Sequence, residues 1–384
     1  MSEVTKASVT SPILQFGTSR FLQAHADLFI SEALAQGQAL GRVTVVQTTD
    51  NPASSERIKV LARGEAYPVR IQGVENGQVI DEQRWSSSIS GALQASTDWQ
   101  QVRRVFIADV QVVISNTGDR GYVLSDADTA AVLSKDAPAP VSFPVKLLVL
   151  LHDRWQANPQ APLSLFPCEL VSRNGDVLRD LIVGIAQGWA LPPGFIGYLR
   201  DHCRWANSLV DRIVSQPIEP VGAVAEPYAL WAVERQEGLT LPCNHPCIIV
   251  TDQLDHYERF KLFMLNLGHT WLAERWLQEG RASDETVHQA MNDPAVRQGL
   301  ESLWEQEVLP VFEAQGCLPQ ARDYLASVRD RFLNPYLNHR IADIAQNHAE
   351  KKTRRFRPVV QMASQLLPAL ALPRLNAALA RSNS

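Results

Sequence analysis

Strand-like and helix-like segments alternate through the first half of this chain and give way, from Asp255 onward, to helical periodicity alone. The strand candidates are short apolar runs at residues 11–16, 42–48, 69–73, 85–89, 110–115 and 163–168. Helical spacing of apolar residues fills 21–36, 54–63, 97–108, 141–156 and 176–188. Parallel strands need long crossovers, so this alternation predicts an α/β domain whose doubly wound, mainly parallel sheet binds ligands at the carboxyl ends of its strands. Pro217, Pro220, Pro227, Pro242 and Pro246 then punctuate a connecting region. Beyond it, 257–279, 283–292, 296–315, 318–332, 337–349 and 359–367 read as helices. A chain of 384 residues exceeds one ordinary core. We therefore expect an α/β domain over 1–220 and an all-α domain over 221–384.

Composition narrows the function classes. A net charge of −5 gives no basic footprint for nucleic acid. The longest apolar stretches, such as 145–151 with Lys146 inside it, are too short to span a bilayer, and Met1 to Thr10 lack the apolar core of a signal peptide. The expectation is a cytoplasmic protein. Five scattered cysteines argue against a disulfide framework. Only Cys243-Asn244-His245-Pro246-Cys247 resembles a metal loop, and no second ligand pair matches it, so no metal is expected.

A strand ending at Phe16, followed by Gly17-Thr18-Ser19-Arg20-Phe21-Leu22 and a helix, is the setting of a dinucleotide fingerprint. Of the three glycines only Gly17 is present. Ser19 stands where the second lets the backbone approach a pyrophosphate, and Leu22 where the third lets helix and sheet pack. An ordinary βα turn using one glycine explains the same residues. Asp50 follows the second strand, where a ribose hydroxyl needs an acceptor, although Asp50-Asn51-Pro52 is also a good turn. Ser115, Asn116 and Thr117 end the 110–115 strand, again where such a sheet binds ligands.

Further on, Lys261, Asn266 and His269 are set into the apolar run 260–272, which reads as a buried helix. At about 100° per residue the three fan across one side of an α-helix over ~12 Å. Gly268 falls almost beneath Lys261, where a missing side chain would let a ligand approach the backbone. Two readings stay open, an active-site wall or a core helix with Lys261 reaching out to water.

With these two features side by side, the chain resembles the mannitol dehydrogenase family of polyol-specific long-chain dehydrogenases. The pattern K-x-x-x-x-N-x-x-H stands here as Lys261 to His269. Within the family it is most similar to the tagaturonate reductase (altronate oxidoreductase) branch, through Leu14-Gln15-Phe16-Gly17, Pro167-Cys168-Glu169-Leu170 with Arg173-Asn174-Gly175, and Asn334-Pro335-Tyr336-Leu337 with His339-Arg340. Two departures stand out. Gln23 sits where relatives often carry arginine, and Ala24-His25 resembles the mannitol 2-dehydrogenase side.

The resemblance implies a Rossmann-like domain binding NAD, or NADP, through Phe16, Gly17, Thr18, Ser19, Arg20, Phe21, Asp50, Ser115, Asn116 and Thr117. It implies Lys261 as general base, Asn266 and Asn174 as donors to the developing oxyanion, and His269 orienting or hydrogen-bonding the substrate. Asp211 matches a position that helps order the site, with a helix-end salt bridge as the alternative. His339, Arg340 and Lys351 would hold the substrate, and a guanidinium suits the carboxylate of a sugar acid. The counter-reading makes Arg340 and the run 351–355 a solvated basic face. The expectation is a zinc-independent oxidoreductase of a linear sugar acid or polyol, a monomer or small homo-oligomer, working in a cleft between its domains. The rivals are a polyol phosphate dehydrogenase, a non-catalytic dinucleotide sensor, and a helical interaction module.

Overall fold

A computed structural model describes residues 11–118 and 121–381; the polar segment Met1 to Thr10 lies outside the described residues. Two compact units emerge. The first comprises the described residues through Arg70, Glu82–Ala225 and Ala229–Leu254; the second comprises Ile71–Asp81, Glu226–Tyr228 and the chain from Asp255 onward.

The strands are β1 (Ile13–Phe16), β2 (Val43–Gln47), β3 (Tyr67–Glu75), β4 (Gln78–Ser86), β5 (Ile89–Gln94), β6 (Val112–Ser115), β7 (Leu163–Pro167), β8 (Cys203–Trp205), β9 (Ser208–Asp211), β10 (Val214–Pro217), β11 (Ala223–Ala225), β12 (Leu230–Glu234) and β13 (Ile248–Thr251). Helices of the first unit are α1 (Arg20–Ala24), α2 (Ala26–Ala35), α3 (Pro52–Leu61), α4 (Ala95–Ala108), α5 (Phe143–Ala157), α6 (Asn174–Gly188) and α7 (Pro193–Asp201).

Six strands form a wholly parallel sheet in the order β5-β2-β1-β6-β7-β8. The inner strands β1, β6 and β7 are buried at every residue, which is why they read as unbroken apolar runs rather than alternating ones. The strand order reverses direction between β1 and β6, and that switch point is where such sheets bind ligands. The predicted Rossmann-like fold is therefore present. Two smaller sheets, ordered β10-β11-β3-β4 and β13-β12-β9, were not anticipated.

Several boundaries differ from expectation. The predicted 85–89 strand straddles a junction, since β4 ends at Ser86 and β5 begins at Ile89. The predicted 21–36 helix breaks at His25 (φ −125, ψ −98), whose Nε2 meets the Leu230 carbonyl at 2.9 Å and whose ring stacks on Phe21. The proline-punctuated stretch after 220 carries β11 to β13 and, apart from Glu226–Tyr228, belongs to the first unit.

In the second unit lie α8 (Leu254–Phe260), α9 (Leu267–Glu279), α10 (Val287–Asn292), α11 (Pro294–Leu303), α12 (Leu309–Ala314), α13 (Leu318–Phe332), α14 (Ile341–Ile344), α15 (His348–Arg355), α16 (Arg357–Leu366) and α17 (Pro373–Ala380). Leu254 closes the first unit and the rest of α8 belongs here. Both long helices predicted from periodicity contain a π-helical turn, Lys261–Asn266 between α8 and α9 and Trp304–Val308 between α11 and α12. The turns are neighbours. The Trp304 indole donates to the Met264 carbonyl at 3.2 Å, satisfying a backbone group that a widened turn leaves exposed.

Candidate active site

At the switch point of the first unit, Gly17 has φ +113, and a Cβ there would lie 2.5 Å from the Asn116 carbonyl oxygen. No other residue type fits this turn without backbone movement. The Gly17 N–H donates to the Val46 carbonyl, and Asn116 N–H to the Phe16 carbonyl, both at 3.0 Å. Ser19 caps α1, accepting from the Leu22 N–H and donating to Asn116 Oδ1, each at 3.2 Å. Serine in place of the second fingerprint glycine thus fastens the turn to the end of β6.

Sequence reasoning missed Arg57, whose Nη1 donates to the Thr18 carbonyl at 2.8 Å and brings a cation to the turn. Burial and the nearby Arg20 hold its pKa below the ordinary arginine value. Arg20 itself grips the β10–β11 loop, bonding the Ile218 and Gly222 carbonyls and pairing with Glu219 at 2.7 Å. Gln23 lies in the same network, accepting from the Gly222 N–H at 2.9 Å. Phe21 stacks on His25, and Phe16 is fully buried at the end of β1.

Beyond the ends of β2 and β6 opens a cavity of about 490 Å³, lined by Thr48, Thr49, Thr117, Val123, Val141 and Phe143 among others. Val123 and Val141 expose apolar surface there. Asp50 is exposed near the end of β2, accepting from Gln94 at 3.2 Å; hydrogen bonds from Ser96 and Gln94 hold its carboxyl below the usual range. Lys146 on α5 is buried and donates to the Val141 carbonyl at 2.7 Å. Burial lowers it to about 8, against the pull of Asp128 and Asp50. A lysine inside the apolar run 145–151 was the available signal.

Glu169 was quoted in the sequence only as part of a motif, yet it organises this face. Its buried carboxylate accepts from Ser115 Oγ (3.0 Å), the Thr117 N–H (3.0 Å), Thr117 Oγ1 (2.9 Å) and Tyr122 OH (3.3 Å). Ser115 and Thr117 are therefore held by Glu169, while Asn116 donates to the Cys168 carbonyl at 2.9 Å.

Asn174 is bonded to backbone groups at both ends of its amide. Its Nδ2 faces the carbonyls of Pro167 (3.0 Å), Glu169 (3.1 Å) and Ser208 (2.9 Å), and its Oδ1 accepts from the Gly175 and Ser208 N–H groups. Both amide hydrogens face carbonyls and the residue is 1% exposed, so this side chain ties β7, α6 and β9 together. Asp211 is buried at the end of β9, a strand, so the helix-end alternative does not apply.

The second unit holds the other residues. An α-helix would set Asn266 well round from Lys261; the i→i+5 turn swings it back toward the lysine's side. Lys261 and Asn266 are half-buried, not buried as expected, while Phe263 to Leu265 and Leu267 to Trp271 are buried. Gly268 does not open a path for a ligand. A Cβ there would lie 2.7 Å from Trp304 and 3.1 Å from Phe332, so the glycine makes room for these rings.

His269 stacks on Phe332 at 4.4 Å and meets the His339 ring edge-on at 4.8 Å. Burial depresses His339, with Asp343 opposing and the Lys351 charge adding to the depression. Lys351 donates to the Ile344 carbonyl at 2.8 Å and is itself lowered, by burial first and then by Arg355. Arg355, missed in the sequence, donates to the Asn266 carbonyl at 3.1 Å and Thr270 Oγ1 at 2.8 Å. Lys352 is buried and pairs with Glu274 at 3.2 Å. The run 351–355 is therefore not a solvated face; Arg354 is its most exposed cation. Arg340 stands apart from the histidines' cluster in its bonding, exposed and paired with Asp343 at 3.2 Å.

Among the described residues no group of three or more His, Cys, Asp or Glu side chains is placed to hold a metal ion, and no helix is long and apolar enough to cross a membrane.

Comparison with known proteins identifies the family. Residues 11–241 match the mannitol dehydrogenase Rossmann domain and residues 253–380 the mannitol dehydrogenase C-terminal domain. An altronate oxidoreductase of Bacillus subtilis is 32% identical over 378 residues, 92% of this chain and 75% of the relative. That of Halalkalibacterium halodurans is 30% identical over 367 residues, 90% and 69%. Among solved structures, a substrate-free D-sorbitol dehydrogenase superposes with a TM-score of 0.81 at 21% identity, covering 96% of this chain and 79% of that one. A mannitol 2-dehydrogenase of Pseudomonas fluorescens, in ternary complex with NAD and D-mannitol, gives 0.69 at 18%, covering 97% and 79%. The chain belongs to the mannitol dehydrogenase family and is a dehydrogenase acting on CH–OH groups.

Proposed function

We propose that the protein interconverts a ketone and a secondary alcohol of a linear sugar acid, using NAD, with Lys261 as the proton-transferring group. The observation that supports this reading is the π turn, whose i→i+5 geometry turns Asn266 toward the side of Lys261, while His269 on the helix that follows meets His339. NAD, when bound, supplies or accepts the hydride. The residues of the first unit suit it. Gly17 lets the turn close tightly on the end of β6, Arg57 brings a cation to the turn, and apolar residues line the cavity beyond β2. An anionic Asp50 beyond β2 favours a ribose hydroxyl over a phosphate, which supports NAD over NADP.

In the oxidising direction Lys261 takes the proton of the alcohol, and the Asn266 side-chain amide donates to the oxygen as negative charge develops. Arg355 holds the Asn266 backbone and so fixes the amide's starting point. In the reducing direction the lysine returns the proton. Neutral donors stabilise an alkoxide without trapping it. His269 is fixed between Phe332 and His339 and orients the substrate. Lys351 supplies positive charge for a carboxylate, and Arg340 would have to leave Asp343 to join it. The altronate oxidoreductase relatives support a sugar acid as substrate.

The same cations suit a phosphate, so the test must separate the two. Purified protein is assayed with NAD and NADP across altronate, mannonate, mannitol, arabinitol and mannitol 1-phosphate. Turnover of an aldonate with NAD is expected. Turnover of the phosphate ester alone would install the phosphate reading, and NAD binding without any turnover would install a sensor.

A further inference from the structure

Helix α17 takes no part in the proton chemistry, yet both its ends are held by buried charges from other elements of the second unit. Its N-cap residue is Leu372, whose side chain cannot cap it. Glu307 does so instead. That carboxylate is 0% exposed, accepts from the Arg374 and Leu375 N–H groups, each at 3.0 Å, and pairs with the Arg374 guanidinium at 3.3 Å. At the other end the buried Lys352 donates to the Ala378 and Arg381 carbonyls, both at 2.9 Å, and pairs with Glu274 of α9 at 3.2 Å. An anion at the N-terminus and a cation at the C-terminus both suit the helix dipole. Loss of either leaves buried backbone groups unpaired, so α17 is fixed to the two elements that supply the charges.

Those two elements also grip the Lys261–Asn266 turn. Glu307 shares the second π turn with Trp304, whose indole bonds the Met264 carbonyl at 3.2 Å. Lys352 lies one turn before Arg355 on α15, and Arg355 bonds the Asn266 carbonyl at 3.1 Å. The bonds close a ring, from the first π turn to the second, to α17, to α15 and back to the first. A widened turn relies on outside partners for its carbonyls, so its shape follows theirs.

We propose that Glu307 and Lys352 are positioning residues for the reaction. Through α17 they set the spacing of Trp304 and Arg355, and through these two the placement of Lys261 and the Asn266 amide. The proposal rests on the reading of Lys261 and Asn266 as the groups that meet the reacting oxygen. Glu307 and Lys352 are buried and act at a distance from it. An opened ring lets the Asn266 donor drift, and a misplacement of about 1 Å costs up to ~10²-fold in the chemical step.

The test is steady-state reduction of tagaturonate by NADH, and by NADH carrying deuterium at the transferred position, for full-length wild type, Glu307→Gln, Lys352→Met and the double variant. Each protein is assayed well below its unfolding midpoint. Both substitutions nearly keep side-chain length and remove the charge. Each single variant is expected to lower kcat by roughly tenfold with the NADH KM within about twofold of wild type. The deuterium effect on kcat should be no smaller than in wild type, since hydride transfer is the step that slows. The double variant should match the slower single one within about threefold, because a ring opened twice loses little more than a ring opened once. Unchanged kcat in both single variants would overturn the proposal. So would losses that multiply in the double variant, which is the behaviour of two separate packing defects. A wild type that does not oxidise NADH with tagaturonate would remove the reading of Lys261 and Asn266, and the proposal with it. Should one variant fail to fold, the other decides through kcat and its deuterium effect.

Discussion

Trp304 lies over Gly268, and its indole N–H reaches back to the Met264 carbonyl in the π turn that carries Lys261 and Asn266. The converse contact is present too, since a Cβ on Gly299 would lie 2.7 Å from the Trp271 ring. Each helix thus offers the other a glycine for a tryptophan, and the widened turn is braced from behind. Gly268→Ala pushes a methyl to 2.7 Å from Trp304. We expect a loss of about 1–3 kcal/mol in urea unfolding, together with a fall in kcat larger than any rise in nucleotide Kd. A variant as stable as wild type would show that the ring shifts freely and braces nothing.

Glu169 gathers four donors on one buried carboxylate. Glu169→Gln replaces one acceptor oxygen by a donor and removes the charge. We expect NADH binding to weaken by roughly tenfold and Tm to drop, because charge-assisted bonds are worth about 1.5–3 kcal/mol. Nucleotide titration by fluorescence quenching measures the first effect and thermal melting the second.

Arg57 is expected to act on binding alone. Arg57→Ala removes the cation at the Thr18 carbonyl, and the NADH Kd should rise roughly tenfold with little change in kcat. The rise should shrink at high salt if the contribution is electrostatic.

Asp27 is a pH handle. Burial raises its carboxyl to about 7, against hydrogen bonds from Gln15 and Tyr67, while the ordinary value is 3.8. Between those values the folded protein keeps a proton that the unfolded chain has released. Stability therefore falls as pH rises through this window and levels off above it, a penalty on the order of 4 kcal/mol. Asp27→Asn should abolish this fall and be the more stable form above pH 7. Parallel curves for the two proteins in urea titrations across that range would rule the assignment out.

The parallel sheet was legible because its strands are short β-branched runs separated by helical spacing, and Gly17 with Ser115 to Thr117 marked its switch point. The β4 strand was not, since its exposed residues mix Asp81, Glu82, Gln83 and Arg84 with Val79 and Trp85 and show no clean alternation. Nor were the π turns, because six residues are too few to separate their period from an ordinary helix. Lys261, Asn266 and His269 were found as polar residues in an apolar run. Asn174 was found through the same resemblance, but the three carbonyls around its amide were not legible, since they come from separate segments of the chain. Arg355 and Lys352 were hidden in a charge run whose partners, Asn266 and Glu274, come from a distant helix or its π turn.

The central claim is that Lys261 moves the proton. NADH oxidation at saturating tagaturonate, with NADH binding measured on the same samples of wild type and Lys261→Ala, tests it most directly. The account predicts a kcat at least about 10²-fold lower in the variant with the NADH Kd within twofold of wild type. Equal turnover in the two proteins would contradict it.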